Sequence, residues 1–235
     1  MYVGCQYCTG FSMTEALYMS IHERLTVHYG SRLWRPGRNG LDEFILTILS
    51  QSTTDRNSGR AFVSLRQQYP TWQDIADTPV AEIARTVRVA GLAQDKAERI
   101  HAVLTHPDVC GNGYSIDFLR DWPLDDALSW LMAFKGVGPK TASCVLMFAY
   151  GMPLLPVDTH IQRVAQRVGL VTGKSPERAH SILHTIIPAD MKYEAHMHLI
   201  QLGRQICHAR NPECTRCPLH DICPTAQRGE HVQRS

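Results

Sequence analysis

The stretch from Phe134 to Ala142 reads FKGVGPKTA and lies between two segments of helical periodicity, about residues 126–134 and 141–150. Two glycines at alternate positions permit a tight turn with positive φ and let the backbone approach a ligand closely. The turn leads directly into the N-terminus of the second helix, where unpaired N–H groups and the positive end of the helix dipole attract phosphate. The stretch therefore predicts a helix–hairpin–helix element that clamps a DNA backbone. A plain turn between two helices, without a ligand, is the alternative.

Helical periodicity continues on both sides of this element. The i, i+3, i+4, i+7 spacing of a helix with one buried face is met by Leu41, Phe44, Ile45, Ile48 and Leu49. Asp55 is a candidate N-cap for the next helix, a further helix begins near Asp158, and Ser175-Pro176 begins another. Residues 106–121 are rich in Gly, Asp and Pro and are predicted to form a long connection. No convincing strand pair is present, so the predicted fold is all-α.

Composition is that of an ordinary globular protein, with 44% hydrophobic and 20% charged residues. No apolar run is long enough to span a bilayer, and the first basic residue is Arg24, so no secretory or transit signal is predicted. We therefore expect a cytoplasmic protein that stays in a reducing compartment. The 24 Lys and Arg residues barely exceed the 22 acidic ones, so a DNA-binding surface requires local clustering of charge.

Four of the eight cysteines fall within 17 residues, at Cys207, Cys214, Cys217 and Cys223. In a chain without an export signal this clustering indicates a metal site, and four thiolates suit either tetrahedral zinc or a [4Fe–4S] cluster. Cys5 and Cys8 look like half of a metal site without a second half, which favours coincidence. Cys110 and Cys144 are predicted to be buried thiols.

The hairpin stretch, the following Val157-Asp-Thr-His160 and the four-cysteine run together resemble the endonuclease III family, the iron–sulfur type of helix-hairpin-helix-GPD DNA glycosylase. The three motifs occur in the family's order, and the resemblance covers residues 33–224. It implies that the cysteines, with their 6-2-5 spacing, hold a [4Fe–4S] cluster. It also implies DNA contacts from the hairpin and its surroundings, namely Lys135, Gly136, Val137, Gly138, Thr141, His160 and Arg210.

By the same resemblance, Lys140 matches the family's nucleophile and Asp158 its catalytic aspartate. A lysine attacks the sugar only as a neutral amine, a form favoured by partial burial and by a helix N-terminus. Asp158 would stabilise positive charge at the sugar and help to remove the amine's proton. The alternatives are a phosphate-contacting lysine and a plain N-cap, and the capping role is compatible with the catalytic one.

A glycosylase that flips its target nucleotide has to fill the gap left in the duplex. Leu92 matches the family's wedge leucine, with core packing as the alternative. On the other side, the family often shows Ser-Ala-Gln-Ala-Thr-Asp where this chain reads Ser50-Gln-Ser-Thr-Thr-Asp55. Ser52 therefore stands where glutamine is usual. Either Gln51 substitutes through a local shift, or contact with the opposite base is weakened.

The resemblance implies two helical lobes with a DNA cleft between them. One is a six-helix barrel over 33–152 that contains the helix-hairpin-helix at about 126–150; the other joins 1–32 and 153–235 around the cluster. We expect a monomeric bifunctional glycosylase and AP lyase, which removes oxidised pyrimidines and cleaves abasic sites. Its expected partner is damaged double-stranded DNA, and no membrane partner is expected. A monofunctional mismatch glycosylase is one alternative, and Lys140 argues against it. A weakly active or non-catalytic binder of damaged DNA is the other.

Overall fold

The computed structural model describes residues 12–173 and 175–229, which form thirteen α-helices and contain no strand. The predicted all-α fold is confirmed. Cys5 and Cys8 lie outside the described residues. No described helix is long and apolar enough to cross a membrane. The helices are α1 Met13–Tyr29, α2 Gly40–Ser50, α3 Asp55–Gln68, α4 Trp72–Ala76, α5 Val80–Thr86, α6 Ala93–Leu104, α7 Pro107–Cys110, α8 Leu124–Met132, α9 Pro139–Tyr150, α10 Thr159–Arg167, α11 Pro176–Ile186, α12 Lys192–Gln205 and α13 Pro224–Gln227.

Polar side chains that cap the first turn set the start of several helices. Ser175 caps α11, as predicted, by accepting a hydrogen bond from the Arg178 amide. The N-cap of α3 is Thr54, whose Oγ1 accepts from the Asn57 amide, so the prediction of Asp55 as the cap is wrong by one residue. Asp55 instead places its carboxylate in the first turn, where the helix dipole favours negative charge.

The chain divides into two compact units, one of residues 34–156 and one that joins the described parts of 1–33 and 157–235. In the 34–156 unit, α2 packs against α3, α6 and α9. Its predicted apolar face is buried completely or nearly so at Leu41, Phe44, Ile45, Ile48 and Leu49. Each such side chain contributes about 1.5–3 kcal/mol of burial free energy, so α2 is the central helix of this unit. A cleft between two lobes stays a prediction.

In the other unit, α10 packs against α12, and α1 packs against α11 and α12. Ile161, Val164 and Ala165 form the buried face of α10, as their spacing predicts. Gly203 of α12 lies so close to α10 that a side-chain carbon there would come within 2.8 Å of His160 Cβ. A glycine at this position therefore allows the two helices to approach closely.

The segment 106–121 is not the irregular connection that its composition predicts. It contains α7 and a 3₁₀ turn over Asp117–Asp121. The Trp130 indole N–H of α8 donates to Asp108 Oδ2 at 2.9 Å, and the His106 ring packs edge-on against Trp130. Contacts with α8 thus order a segment that is rich in turn-forming residues. Cys110, predicted to be buried, is exposed at the end of α7, whereas Cys144 is buried.

Candidate active site

The hairpin runs from the end of α8 at Met132 to the start of α9 at Pro139. Gly136 has φ +79°, which favours glycine, and a side-chain carbon there would overlap the Arg99 guanidinium. Gly138 has extended backbone (φ −98°), so only one of the two glycines has the predicted positive φ. Val137 is buried and its N–H donates to the Phe134 carbonyl at 3.0 Å. Of the predicted contact residues in the hairpin, Lys135, Gly136 and Gly138 are exposed.

The first turn of α9 is arranged to receive an anion. Gly138 is the N-cap, no side chain caps the helix, and Pro139 occupies the first helical position, where its missing N–H costs nothing. Lys140 follows at the second position and is exposed, so the partial burial predicted for it is wrong. The positive end of the helix dipole and the Lys140 ammonium together favour binding of a negatively charged group at this point.

Gln51 links the turn between α2 and α3 to this hairpin. Its Nε2 donates to the Gly136 carbonyl at 3.1 Å and to Thr141 Oγ1 at 3.2 Å, and its Oε1 accepts from Arg99 Nη1. Thr141 itself is buried. Both predicted contact residues therefore use their side chains to join two segments of the protein, and Gln51 is not extended towards solvent.

Ser52 and Leu92 are exposed, and each has an unusual backbone conformation. Ser52 has φ +54° and Leu92 has φ +46°, a left-handed conformation that non-glycine residues rarely adopt. Leu92 is 59% exposed, which rules out core packing as the reason for its presence. Strained residues of this kind cluster at functional sites. Ser52 and Leu92 are therefore better candidates for DNA contacts than Gln51.

Asp158 is the N-cap of α10 in the other unit. Its Oδ1 accepts a hydrogen bond from the Ile161 amide at 2.8 Å, and the side chain is half-buried. The capping role considered from the sequence is thus present. Because capping fixes the carboxylate at the N-terminus of α10, it keeps Asp158 oriented.

The same helix reaches the cysteines through two arginines. Arg163 donates through Nε to the Cys207 carbonyl at 2.9 Å and through Nη2 to the Gly203 carbonyl at 2.8 Å. Its Nη2 also lies 3.1 Å from Nδ1 of His160, a predicted contact residue that is half-buried. Arg167 Nη1 lies 3.3 Å from Cys207 Sγ. Neither Arg163 nor Arg167 was predicted from the sequence, although their i, i+4 spacing on the Asp158 helix was an available signal.

Four thiols, those of Cys207, Cys214, Cys217 and Cys223, line one largely apolar pocket. Burial raises the pKa of Cys217 to about 11, and the other three thiols add to the rise because each thiolate repels the next. Mutual repulsion of this kind is relieved when thiolates bind cationic metal.

Four cysteine thiols can hold either a single zinc ion or an iron–sulfur cluster. Four thiolates on one zinc ion, each about 2.3 Å from the metal, have to converge on a single point. Within residues 12–173 and 175–229, no group of three or more His, Cys, Asp or Glu side chains is placed to hold one metal ion. The four thiols surround one pocket, and four thiolates are also the ligand set of an iron–sulfur cluster.

The cysteine loop is less basic at its surface than its sequence indicates. Glu213 accepts ion pairs from Arg216 at 2.8 Å and from His208 at 3.2 Å, although the histidine contributes charge only when protonated. Arg210, predicted to contact DNA, is exposed. Because Glu213 offsets the charge of Arg216, Arg210 is the better candidate for a phosphate contact from this loop.

Comparison with known proteins gives two family matches. Residues 45–189 match the HhH-GPD superfamily of base excision DNA repair proteins, and residues 207–223 match the iron–sulfur binding domain of endonuclease III. Endonuclease III of Escherichia coli is 36% identical over 186 residues, which cover 76% of this chain and 81% of the relative. A putative DNA glycosylase of Arabidopsis thaliana is also 36% identical, over 169 residues that cover 71% of this chain and 57% of the longer relative.

Solved structures show the same likeness. A trapped endonuclease III–DNA covalent intermediate matches with a TM-score of 0.79 and 28% identity, covering 93% of this chain and 100% of that chain. A thermostable thymine-DNA glycosylase matches with a TM-score of 0.74 and covers 92% of this chain and 97% of that chain. Its 20% identity extends the likeness to the fold alone.

Proposed function

The chain belongs to the HhH-GPD superfamily of base excision DNA repair proteins, and we propose that it is a bifunctional DNA glycosylase and AP lyase acting on oxidised pyrimidines and abasic sites. At the coarser level it is an endonuclease III-like DNA glycosylase with an iron–sulfur cluster. The finer proposal, a lyase that works through a lysine Schiff base, rests on the position of Lys140.

The observation that carries the proposal is an exposed lysine in the first turn of α9, directly after the hairpin and at a helix start that no side chain caps. The hairpin and helix start suit a phosphate of the DNA backbone. When that phosphate is bound, the sugar attached to it lies within reach of Lys140 Nζ. A duplex that covers this side chain removes water from it, and desolvation disfavours the charged ammonium. Binding of the substrate therefore helps to produce the neutral amine that attack requires.

In the proposed reaction, Lys140 Nζ attacks C1′ of the nucleotide, and the base departs with the electron pair of the glycosidic bond. Loss of the amine's proton and opening of the sugar ring leave an iminium between Nζ and C1′. A proton is then removed from C2′, and its electron pair expels the 3′ phosphate in a β-elimination. Water hydrolyses the remaining iminium and returns Lys140 to its starting state.

Asp158 supplies the negative charge that this sequence needs. A carboxylate fixed by capping stabilises positive charge that develops at the sugar, without reorganisation during the reaction. It also serves as an acceptor for the proton that the attacking amine has to lose. Its hydrogen bond from the Ile161 amide uses Oδ1 and keeps the group oriented throughout.

The DNA contacts divide between backbone and bases. We assign the hairpin at Lys135, Gly136 and Gly138 to the phosphates, since positive charge and an open helix start act on any sequence. We assign Leu92 to the gap left by the flipped nucleotide, and Ser52 to the opposite strand. A short hydroxyl side chain contacts the opposite base less extensively than glutamine does, so weak discrimination between opposite bases is proposed.

We assign Cys207, Cys214, Cys217 and Cys223 as the ligands of the [4Fe–4S] cluster. When bound, the cluster cross-links the segment 207–223 and takes no part in bond cleavage. Arg163 and Arg167 attach this segment to the helix that Asp158 caps. We further propose that the protein acts as a monomer, with 34–156 as the hairpin-bearing domain.

Borohydride trapping on a duplex with one abasic site tests the proposal. The purified protein, with its cluster, is expected to form a covalent complex that is absent in Lys140→Gln and kept in the control variant Arg85→Gln, which removes a positive charge from the exposed surface of α5. Failure of the unaltered protein to trap, together with tight binding to the same duplex, would overturn the lyase proposal in favour of recognition without catalysis. Trapping that persists in Lys140→Gln would move the nucleophile to another residue.

A further inference from the structure

Lys96 is a buried lysine in the first turn of α6. It is 1% exposed, whereas lysine is among the residues least often fully buried in proteins. Its Nζ donates to the Leu49 carbonyl and to the Ala90 carbonyl, each at 2.8 Å. Burial lowers the pKa of Lys96, and the nearby Arg99 cation adds to the effect. A buried ammonium of this kind is costly unless its acceptors compensate for it.

The two carbonyls belong to the segments that precede the strained loops. Leu49 lies in the last turn of α2, where carbonyls have no partner within the helix, three residues before Ser52. Ala90 ends the 3₁₀ turn Arg88–Ala90, two residues before Leu92. One ammonium therefore joins the chain ahead of both exposed loop residues. A cation is also favourable at the negative end of α2.

Arg99, one turn further along α6, makes the link to the hairpin. It donates to Gln51 Oε1, and the Gln51 amide donates in turn to the Gly136 carbonyl and to Thr141 Oγ1. The guanidinium also lies against Gly136 so closely that a side chain at Gly136 would displace it. Gln51 is thus held by three hydrogen bonds across 48 to 90 residues of sequence.

All of these contacts lie within the 34–156 unit and converge on α6. Ser52 and Leu92 keep left-handed backbone although neither is glycine, and such conformations persist only where the surroundings fix them. Lys96 fixes the backbone ahead of both residues, and Gln51 is the immediate neighbour of Ser52. The hairpin is tied to the same helix through Arg99.

We propose that Lys96, Arg99 and Gln51 form an α6 bracket, a set of positioning residues that fixes Ser52, Leu92 and the hairpin relative to one another before DNA binds. This proposal rests on the proposed function, because that function assigns Ser52, Leu92 and the hairpin their roles in DNA binding. The bracket orders these loops when the protein folds. Less conformational entropy of the loops is therefore lost when a nucleotide is extruded. The bracket acts through other residues and touches no DNA.

Gain or loss of pre-organisation is measured by comparing two duplexes. Undamaged DNA engages the hairpin alone. The second duplex carries an abasic site beside 2-aminopurine, whose fluorescence changes when the gap is filled. For Arg99→Met and Gln51→Met we expect affinity for undamaged duplex within about 3-fold of the unaltered protein and gap filling at least about 10-fold slower. Arg85→Met, on an exposed arginine of α5, is the matched control and should change neither.

A double variant tests whether the two residues act together. Since each single change breaks the same connection, Arg99→Met with Gln51→Met should be no slower than the slower single variant. Multiplicative losses, or equal losses on both duplexes, would overturn the bracket. The Lys96→Met variant joins the series if it folds, and the Arg99 and Gln51 variants decide the question if it does not. The fluorescence readout needs no Schiff base, so failure of trapping in the unaltered protein would overturn the lyase proposal and leave the bracket to be judged separately.

Discussion

Arg167 Nη1 donates a hydrogen bond to Cys207 Sγ at 3.3 Å, so the helix that Asp158 caps at its first turn is attached at its last turn to the first of the four closely spaced cysteines. The same guanidinium donates to the carbonyls of His208 and Ala209, at 2.6 and 3.1 Å. One side chain thus connects α10 to three consecutive residues of the cysteine loop. In return, a correctly formed cysteine loop keeps α10 in place.

Replacement of Arg167 by glutamine should weaken both the fold and the cluster. Hydrogen bonds from a charged donor are each worth about 1.5–3 kcal/mol, and some of their acceptors would be left buried, so we expect a loss of about 2–4 kcal/mol in unfolding free energy. The visible absorbance of the cluster should also decay faster in a chelator. Arg178→Gln, on an exposed arginine of α11, is the control. A variant that keeps both the stability and the cluster lifetime would show that this attachment is unimportant.

Two substitutions at Asp158 should separate capping from chemistry. Asparagine caps a helix about as well as aspartate, so Asp158→Asn is expected to keep the unfolding free energy while the rate of borohydride trapping falls about 100-fold, since the carboxylate charge is lost. Asp158→Ala removes the cap as well and should lose about 1 kcal/mol of stability. Chemical denaturation and single-turnover trapping measure the two effects. Equal trapping rates in Asp158→Asn and the unaltered protein would reduce Asp158 to a cap.

Periodicity and capping chemistry were enough to predict several of the local elements. The α2 pattern from Leu41 to Leu49 specifies a helix with one buried face, and that face is buried. Ser175-Pro176 begins α11 as predicted. Each of these signals lies within a few residues of the feature that it specifies. The cysteine run is of the same kind, because all four cysteines are contained in 17 residues.

Contacts between distant segments were not predictable in this way. A lysine within a helical pattern, such as Lys96, suggests a solvated side chain. Its acceptor, the Leu49 carbonyl, is 47 residues away, so no local pattern indicates the contact. The sequence left open whether Gln51 substitutes for the missing glutamine, and only the position of Gly136, 85 residues later, shows where its amide is directed. The exposure of Lys140 and Cys110 likewise depends on packing that no local pattern records.

The unit that contains α11 and α12 should lose stability as pH falls. Burial lowers the pKa of His180 and His184 below the ordinary 6.5, and the Lys192 ammonium, 3.1 Å from His184 Nε2, lowers it further. The folded state therefore keeps these rings neutral at a pH where the unfolded chain already binds protons. Stability is fully present above about pH 6.5 and declines below it, by less than the limit of about 1.4 kcal/mol per pH unit for each ring.

Thermal unfolding of His180→Leu across pH 5 to 8 tests this dependence. The variant removes one proton-binding ring and leaves an apolar side chain in its place, so its melting temperature relative to the unaltered protein should rise as pH falls. His28→Leu, at an exposed histidine of α1, should give a difference independent of pH. A constant difference for His180→Leu would mean that this ring does not contribute to the acid sensitivity.

The two hairpin glycines should respond differently to alanine. Gly136 has positive φ and lies against Arg99, so Gly136→Ala should cost about 1–3 kcal/mol of stability and disturb the α6 bracket. Gly138 has extended backbone and open space around its missing side chain, so Gly138→Ala should cost only about 0.5 kcal/mol, from weaker capping. The added methyl group nevertheless stands where we place the DNA backbone. Duplex affinity of Gly138→Ala should therefore fall about 10-fold while its melting temperature stays within a few degrees. If instead affinity were retained in Gly138→Ala, the phosphate would have to approach the hairpin from the Gly136 side.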